Sequence, residues 1–138
     1  MRTISFSIDG KPRGKGRPRF GRGKVYTPQT TKQYERAVSV VAKSAMLGDE
    51  PTRGHVRVWI VAEFAIPKSW PKAKKELVSQ GALHHTSKPD LDNIVKIILD
   101  GMNGVVFVDD SQVVSIMASK QYSGNGAAVY VDVSFVEG

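Results

Sequence analysis

Polar and apolar residues alternate from Thr3 to Ile8, a period of two that predicts a half-buried β-strand. A shorter strand is expected over Lys24 to Thr27. Thr27 and Pro28 then read as the cap and first position of a helix. That helix runs to about Leu47 with an apolar stripe of Tyr34, Val38, Val41, Ala42, Ala45 and Met46, and Gly48 ends it. From His55 to Ile66 the period returns to two. Val56, Val58, Ile60, Ala62 and Phe64 share one face, and Arg57, Trp59, Val61 and Glu63 the other. Pro67 and Pro71 close this strand, and a short charged helix is expected from Pro71 to Gln80. Asp90 to Met102 reads as a third helix, its core face formed by Leu91, Ile94, Val95, Ile98 and Met102. Gln112 to Tyr122 and Ala127 to Val136 are two more alternating strands. Between them Gly124-Asn125-Gly126 signals a hairpin turn.

This order predicts an α+β fold, with about three helices packed on a mixed, mainly antiparallel sheet. A chain of 138 residues fits a single domain over 1–138. The absence of cysteine excludes disulfides and thiolate metal sites. The N-terminus lacks the apolar block of a signal peptide, and no stretch approaches the roughly 20 apolar residues of a membrane span. The expectation is a cytoplasmic protein with no membrane partner.

Charge changes the picture. The net charge is +7, and residues 10–24 carry seven cations with no acid: Lys11, Arg13, Lys15, Arg17, Arg19, Arg22 and Lys24. Five glycines and two prolines in the same stretch disfavour helix and regular central strand. It reads as a mobile basic loop or arm suited to phosphates. A solvated linker is the plainer alternative, but it leaves the mutual repulsion of seven like charges unanswered. The opposite pole gathers Asp90, Asp92, Asp100, Asp109 and Asp110 around the lone base Lys96. Carboxylates repel DNA phosphates unless a divalent cation bridges the two.

On a helix Asp92 and Lys96 are neighbours, and Asp100 continues their face. Oxygen-only donors suit Mg²⁺ or Mn²⁺. Each residue also has an ordinary explanation. Asp90 can be an N-cap, Asp92 and Lys96 an exposed ion pair, and Asp109-Asp110 turn residues. Asn93 and Asp100 can simply complete a polar face. Spacing alone leaves the two accounts level.

Lys88-Pro89-Asp90-Leu91-Asp92-Asn93, Lys96, Asp100-Gly101-Met102-Asn103-Gly104 and Asp109-Asp110-Ser111-Gln112-Val113 together resemble the RusA family of Holliday junction resolvases. The stretch from Gly10 to Arg19 resembles that family's basic opening, as does Tyr26-Thr27-Pro28 before the first helix. The resemblance implies a homodimeric, Mg²⁺-dependent endonuclease that nicks four-way DNA junctions in a symmetric pair of strands. Members are typically encoded by phages and prophages. It assigns Asp90, Asp92 and Asp110 as metal-holding catalytic carboxylates and Lys96 as the catalytic lysine, with Mn²⁺ able to replace Mg²⁺. Asn93, Asp100 and Asp109 take supporting roles, and Lys88 joins the seven cations of residues 10–24 as a DNA contact. No small-molecule cofactor is expected. The family's arginine-rich approach to the acidic motif is replaced here by His84-His85-Thr86-Ser87-Lys88.

Neighbouring His84 and His85 point apart in an extended segment, so they suggest a loop near DNA, or plain surface, rather than a shared metal. Trp59 and Trp70 are expected in the core or at a dimer interface rather than as base-stacking platforms. Two other classes compete. A non-catalytic DNA- or RNA-binding protein would use the basic segment but leave the acidic cluster unexplained. An interaction module would dock its acidic pole on another subunit's basic arm.

Overall fold

The computed structural model describes residues 2–16, 19–21, 24–26 and 29–136, with 19–21, 24–26 and 29 described in their backbone alone. Arg17, Arg22, Thr27, Pro28 and the side chains of Arg19 and Lys24 therefore lie outside the described residues. The elements are β1 (Arg2–Asp9), β2 (Arg19–Gly21), β3 (Lys24–Tyr26), α1 (Gln29–Met46), β4 (His55–Ala65), α2 (Lys72–Ser79), α3 (Leu91–Met102), β5 (Val113–Ser123) and β6 (Ala128–Val136). A single 3-10 turn, Asp110–Gln112, leads into β5.

Four strands form one mixed sheet in the order β1-β6-β4-β5, and β2 and β3 pair separately. The α+β architecture expected from the sequence is the one observed. Register explains why one face is buried. Ile4, Val133 and Val58 lie in one row across the sheet, Phe6, Val131 and Ile60 in the next, and Ile8, Val129 and Ala62 in the third. Strand side chains alternate, so this apolar face is continuous, and α1 and α3 cover it with Val38, Ala42, Met46, Ile94, Ile97, Ile98 and Met102. α1 and α3 cross so closely that a Cβ on Gly101 would lie 2.5 Å from Val38 Cβ. α2 buries none of its residues.

The hairpin expected at 124–126 does not form. The turn is there, but β5 and β6 do not pair, because β4 lies between them, parallel to β5 and antiparallel to β6. The connection passes over the end of β4, where Ile66 N–H donates to Ser123 O at 3.2 Å. Burial gives the reason. Val129, Val131 and Val133 are almost wholly buried, which suits a central strand. β5 carries Ser115, Ser119, Lys120 and Gln121 and takes the edge, where polar side chains discourage stray pairing.

The basic segment is not a free arm over residues 10–16. Pro12 is buried, Lys15 N–H donates to Asn93 O at 2.9 Å, and Gly16 N–H donates to Thr31 Oγ1 at 3.0 Å. Further on, the β2–β3 pair builds regular structure into a stretch rich in glycine and proline. No helix among the described residues is long and apolar enough to cross a membrane.

Candidate active site

α3 positions most of the candidate chemistry. It begins after a cis Lys88–Pro89 peptide, with Asp90 at the N-cap position in extended backbone. The Asp90 carboxylate does not cap the helix, so the commonest ordinary role for this residue is not the one it fills. It accepts instead from Lys88 Nζ at 2.8 Å. Asp92, in the first turn, is exposed and forms no hydrogen bond or ion pair with another described residue. The intrahelical Asp92–Lys96 pair that spacing allows is therefore absent.

Lys96 turns the other way. Its Nζ donates to Asp100 Oδ1 at 2.9 Å and stands 3.8 Å from Asp110 Oδ2. Asp100 is the hub, because its second oxygen lies 2.9 Å from Lys15 Nζ, which also pairs with Glu35 on α1. The Asp100 side chain is 16% exposed. Burial works against its charge, yet hydrogen bonds from Lys96 and Lys15 outweigh that and hold the carboxyl below its ordinary range. The hydrogen bond to Asp100 in turn raises Lys96, so the ammonium form persists well beyond neutral pH. Such a lysine can stabilise negative charge but cannot serve as a base at pH 7.

Asp109 and Asp110 divide their roles. Asp109 accepts from Ser111 N–H and completes a reciprocal capping box with Gln112, so it holds the turn. Asp110 faces Lys96 from the start of that turn. α3 and the turn thus bring Lys96, Asp100 and Asp110 together, with Asp90 and Asp92 at the helix start. Among the described residues, no three acidic or histidine side chains stand close enough to enclose a metal ion. The donor set is nevertheless all carboxylate, which matches a hard divalent cation that keeps waters and takes phosphate oxygens as further ligands.

Among the expected DNA contacts, Lys11 and Arg13 are exposed beside Lys88 and Pro89 around a surface cleft of about 330 Å³. Lys15 is turned inward to Glu35 and Asp100. Gly14 allows this docking, since a Cβ there would lie 2.9 Å from Pro89 Cβ and 3.0 Å from Asn93 Cβ. Asn93 supports the site through its backbone oxygen, the acceptor for Lys15 N–H.

Sequence reasoning missed Lys120. On β5 it continues the phase of Ile116 and Ala118, which is the helix-covered face. Its Nζ donates to Ser87 O and Pro89 O, both at 2.8 Å, and so fixes the loop that delivers Asp90. Burial lowers the Lys120 pKa from its ordinary value, with Asp90 opposing that shift. A lysine on the inward phase of an alternating strand was the available signal. His85 lies in the loop ahead of α3, as the sequence suggested, but it is half-buried rather than plain surface. Its ring stacks on Phe64 with centroids 3.6 Å apart, while His84 is exposed. Trp59 is 55% exposed and lies outside this chain's core; Trp70 packs edge-on against Tyr122 at 5.0 Å.

Comparison with known proteins agrees with the acidic helix and its basic approach. The family described as Endodeoxyribonuclease RusA matches residues 9–134. The chain is also 38% identical over 129 residues to the uncharacterized protein YqaN of Bacillus subtilis (strain 168), covering 89% of this chain and 90% of that protein.

Proposed function

Because the chain belongs to the RusA endodeoxyribonuclease family, we propose that it resolves four-way DNA junctions as a homodimer, by paired symmetric nicks that need a divalent metal. The observation that carries this reading is the division of labour on α3. Asp90 stands at the helix start without capping it, Asp92 presents its carboxylate without pairing with Lys96, and Asp100 keeps Lys96 charged beside Asp110. Asp90, Asp92 and Asp110 would hold Mg²⁺, with Mn²⁺ able to substitute, and substrate phosphate would complete its shell. Bound there, the ion would polarise the scissile phosphoryl group and acidify water. Lys96, as a fixed ammonium, offsets negative charge growing on the phosphate. Lys11, Arg13 and Lys88 meet the backbone on the same side.

The dimer follows from the substrate's symmetry, since two equivalent nicks need two sites. The uncovered sheet face supports it. Trp59 and Met117 pair across β4 and β5 there, and exposed Tyr130 lies one row away. The activity belongs to recombination and repair in the cytoplasm and needs no small-molecule cofactor.

The test is cleavage of a synthetic four-way junction with nick positions mapped on every strand. Two symmetric nicks with Mg²⁺ or Mn²⁺ are expected, with Asp92→Asn binding the junction normally but cutting at least 100-fold more slowly, about 2.7 kcal/mol of barrier. Purified protein that leaves junctions whole with both metals overturns the reading.

A further inference from the structure

A second cleft, of about 290 Å³, opens where β1, β4 and β5 end, and Lys11, Phe64, Pro67, His85 and Tyr122 line it. Its wall is unusual in being made of rings. The His85 imidazole lies flat on Phe64 at an interplanar angle of 9°, and Tyr122 meets His85 edge-on at 5.6 Å. Trp70 continues the row behind Tyr122. The surrounding charges are cationic. Lys11 lines the cleft, Lys120 Nζ sits 5.4 Å from the Phe64 centroid, and Lys74 Nζ sits 4.0 Å from that of Trp70. Among the described residues, no carboxylate lines it.

A small aromatic core needing no ligand is the simplest account, and two features argue against it. Space remains beside the rings, and buried His85 Nδ1 has, among the described residues, no hydrogen-bond partner beyond its own backbone. Flat rings beside ammonium groups suit a flat π-faced group attached to an anion, the chemistry of a nucleobase on its phosphate. Burial, reinforced by Lys120 and Lys11, lowers the His85 pKa, which favours the neutral ring that stacks best.

The cleft is joined to the acidic helix. Lys120 reaches from the ring wall to the carbonyls of Ser87 and Pro89, immediately ahead of Asp90. His85 and Asp90 are five residues apart, a span of at most ~18 Å, or about five base steps at ~3.4 Å each. We propose that the Phe64–His85–Tyr122 cleft receives one unstacked nucleobase of the strand being cut, within a few nucleotides of the nick, and thereby sets sequence preference at the cut. This deepens the nuclease reading and rests on it. A branch point is a favourable source of such a base, because unstacking there costs least. Phosphate contacts from residues 10–24 would position the strand without reading it.

The experiment places 2-aminopurine, in turn, at each position flanking the mapped nick, in a junction and in a single-stranded oligonucleotide, and records its fluorescence on binding full-length protein without metal. Nick positions are mapped in parallel on junctions of varied sequence. One position should change its emission, and His85→Ala should abolish that change and flatten the nick preference by about tenfold, the worth of one stacked base. His85→Leu keeps the apolar cover over Phe64 and serves if the alanine variant does not fold; it should lose the signal too. His85→Phe should restore it. Protein that cuts junctions while every probe position stays unchanged overturns the cleft alone. Protein that captures the base yet cuts nothing overturns the nuclease reading alone. A His85→Leu variant with wild-type emission and wild-type nick preference also removes the cleft.

Discussion

Asp100 holds two ammonium groups at once, and this makes it more than one member of a polar helix face. Lys15 reaches it from the basic segment and Lys96 from within α3, so one carboxylate ties the DNA-facing stretch to the candidate catalytic lysine. Asp100→Asn would leave Lys15 and Lys96 without their shared counter-charge. Urea unfolding at pH 7 should show a loss of about 1–3 kcal/mol. The sign with pH is fixed by the shifts. Asp100 is depressed, so its contribution is present above the ordinary value of 3.8 and fades as pH falls through the lower folded value. Lys15 and Lys96 are raised, so theirs is present below 10.5 and fades as pH rises through the higher folded values. The gap between wild type and Asp100→Asn should thus be largest between about pH 5 and 9 and shrink below pH 3.8. A gap that stays constant from pH 7 to pH 3 would deny Asp100 this role. The acids and Lys96 could be grouped from sequence because one helix carries most of them, while their expected roles came from the family resemblance. Asp100 as their hub could not, because Lys15 is 85 residues away in the chain and its inward turn depends on Gly14 fitting against Pro89 and Asn93.

α1 and α3 illustrate what periodicity reveals and what it leaves hidden. The stripe of Tyr34, Val38, Ala42 and Met46 was readable because a 3.6-residue period tolerates few other interpretations. The intimacy of the crossing was not, since Gly101 carries no side chain to count in an apolar face. Its missing Cβ lets Val38 and the Glu35 carbonyl approach, and Ser39 Oγ donates to Gly101 O at 2.6 Å. Gly101→Ala should destabilise the protein by about 1–3 kcal/mol through overpacking. Gly124→Ala is the matched comparison, since a Cβ there meets nothing within 4 Å and the backbone is not left-handed. It should stay within about 0.5 kcal/mol of wild type. Equal thermal shifts for the two variants would mean that the helices can separate without cost. Strand alternation was equally legible, but strand partners were not. A turn signal at 124–126 fixes a change of direction, whereas the insertion of β4 depends on which strand has more apolar surface to hide. Long-range competition of that kind has no local signature.

At the scale of the whole molecule the sheet is covered on one side only. Its open face carries a row of Ser5, Asp132, Trp59 and Met117, followed by Ser7, Tyr130, Val61 and Ser119. Trp59, Met117 and Tyr130 are each about half exposed, at 55%, 53% and 48%. Arg57 and Asp132 line the same shallow cleft as Trp59. A patch with an apolar centre and one cation and one anion beside it can be self-complementary about a two-fold axis, with Arg57 of one subunit meeting Asp132 of the partner subunit. The proposed homodimer therefore has a specific address, and Trp59→Lys tests it. A lysine in the centre of a desolvated interface should shift sedimentation from dimer to monomer by at least 100-fold in dissociation constant, about 2.7 kcal/mol. Stability of the subunit itself should change little, because Trp59 is outside the core. The catalytic consequence separates this from general damage. A monomer retains Asp90, Asp92, Lys96 and Asp110, so single nicks should persist at high protein concentration while paired symmetric nicks within one binding event disappear. A Trp59→Lys protein that remains dimeric and still cuts in pairs would move the two-fold axis to another surface, with the exposed edge of β5 the next to be substituted.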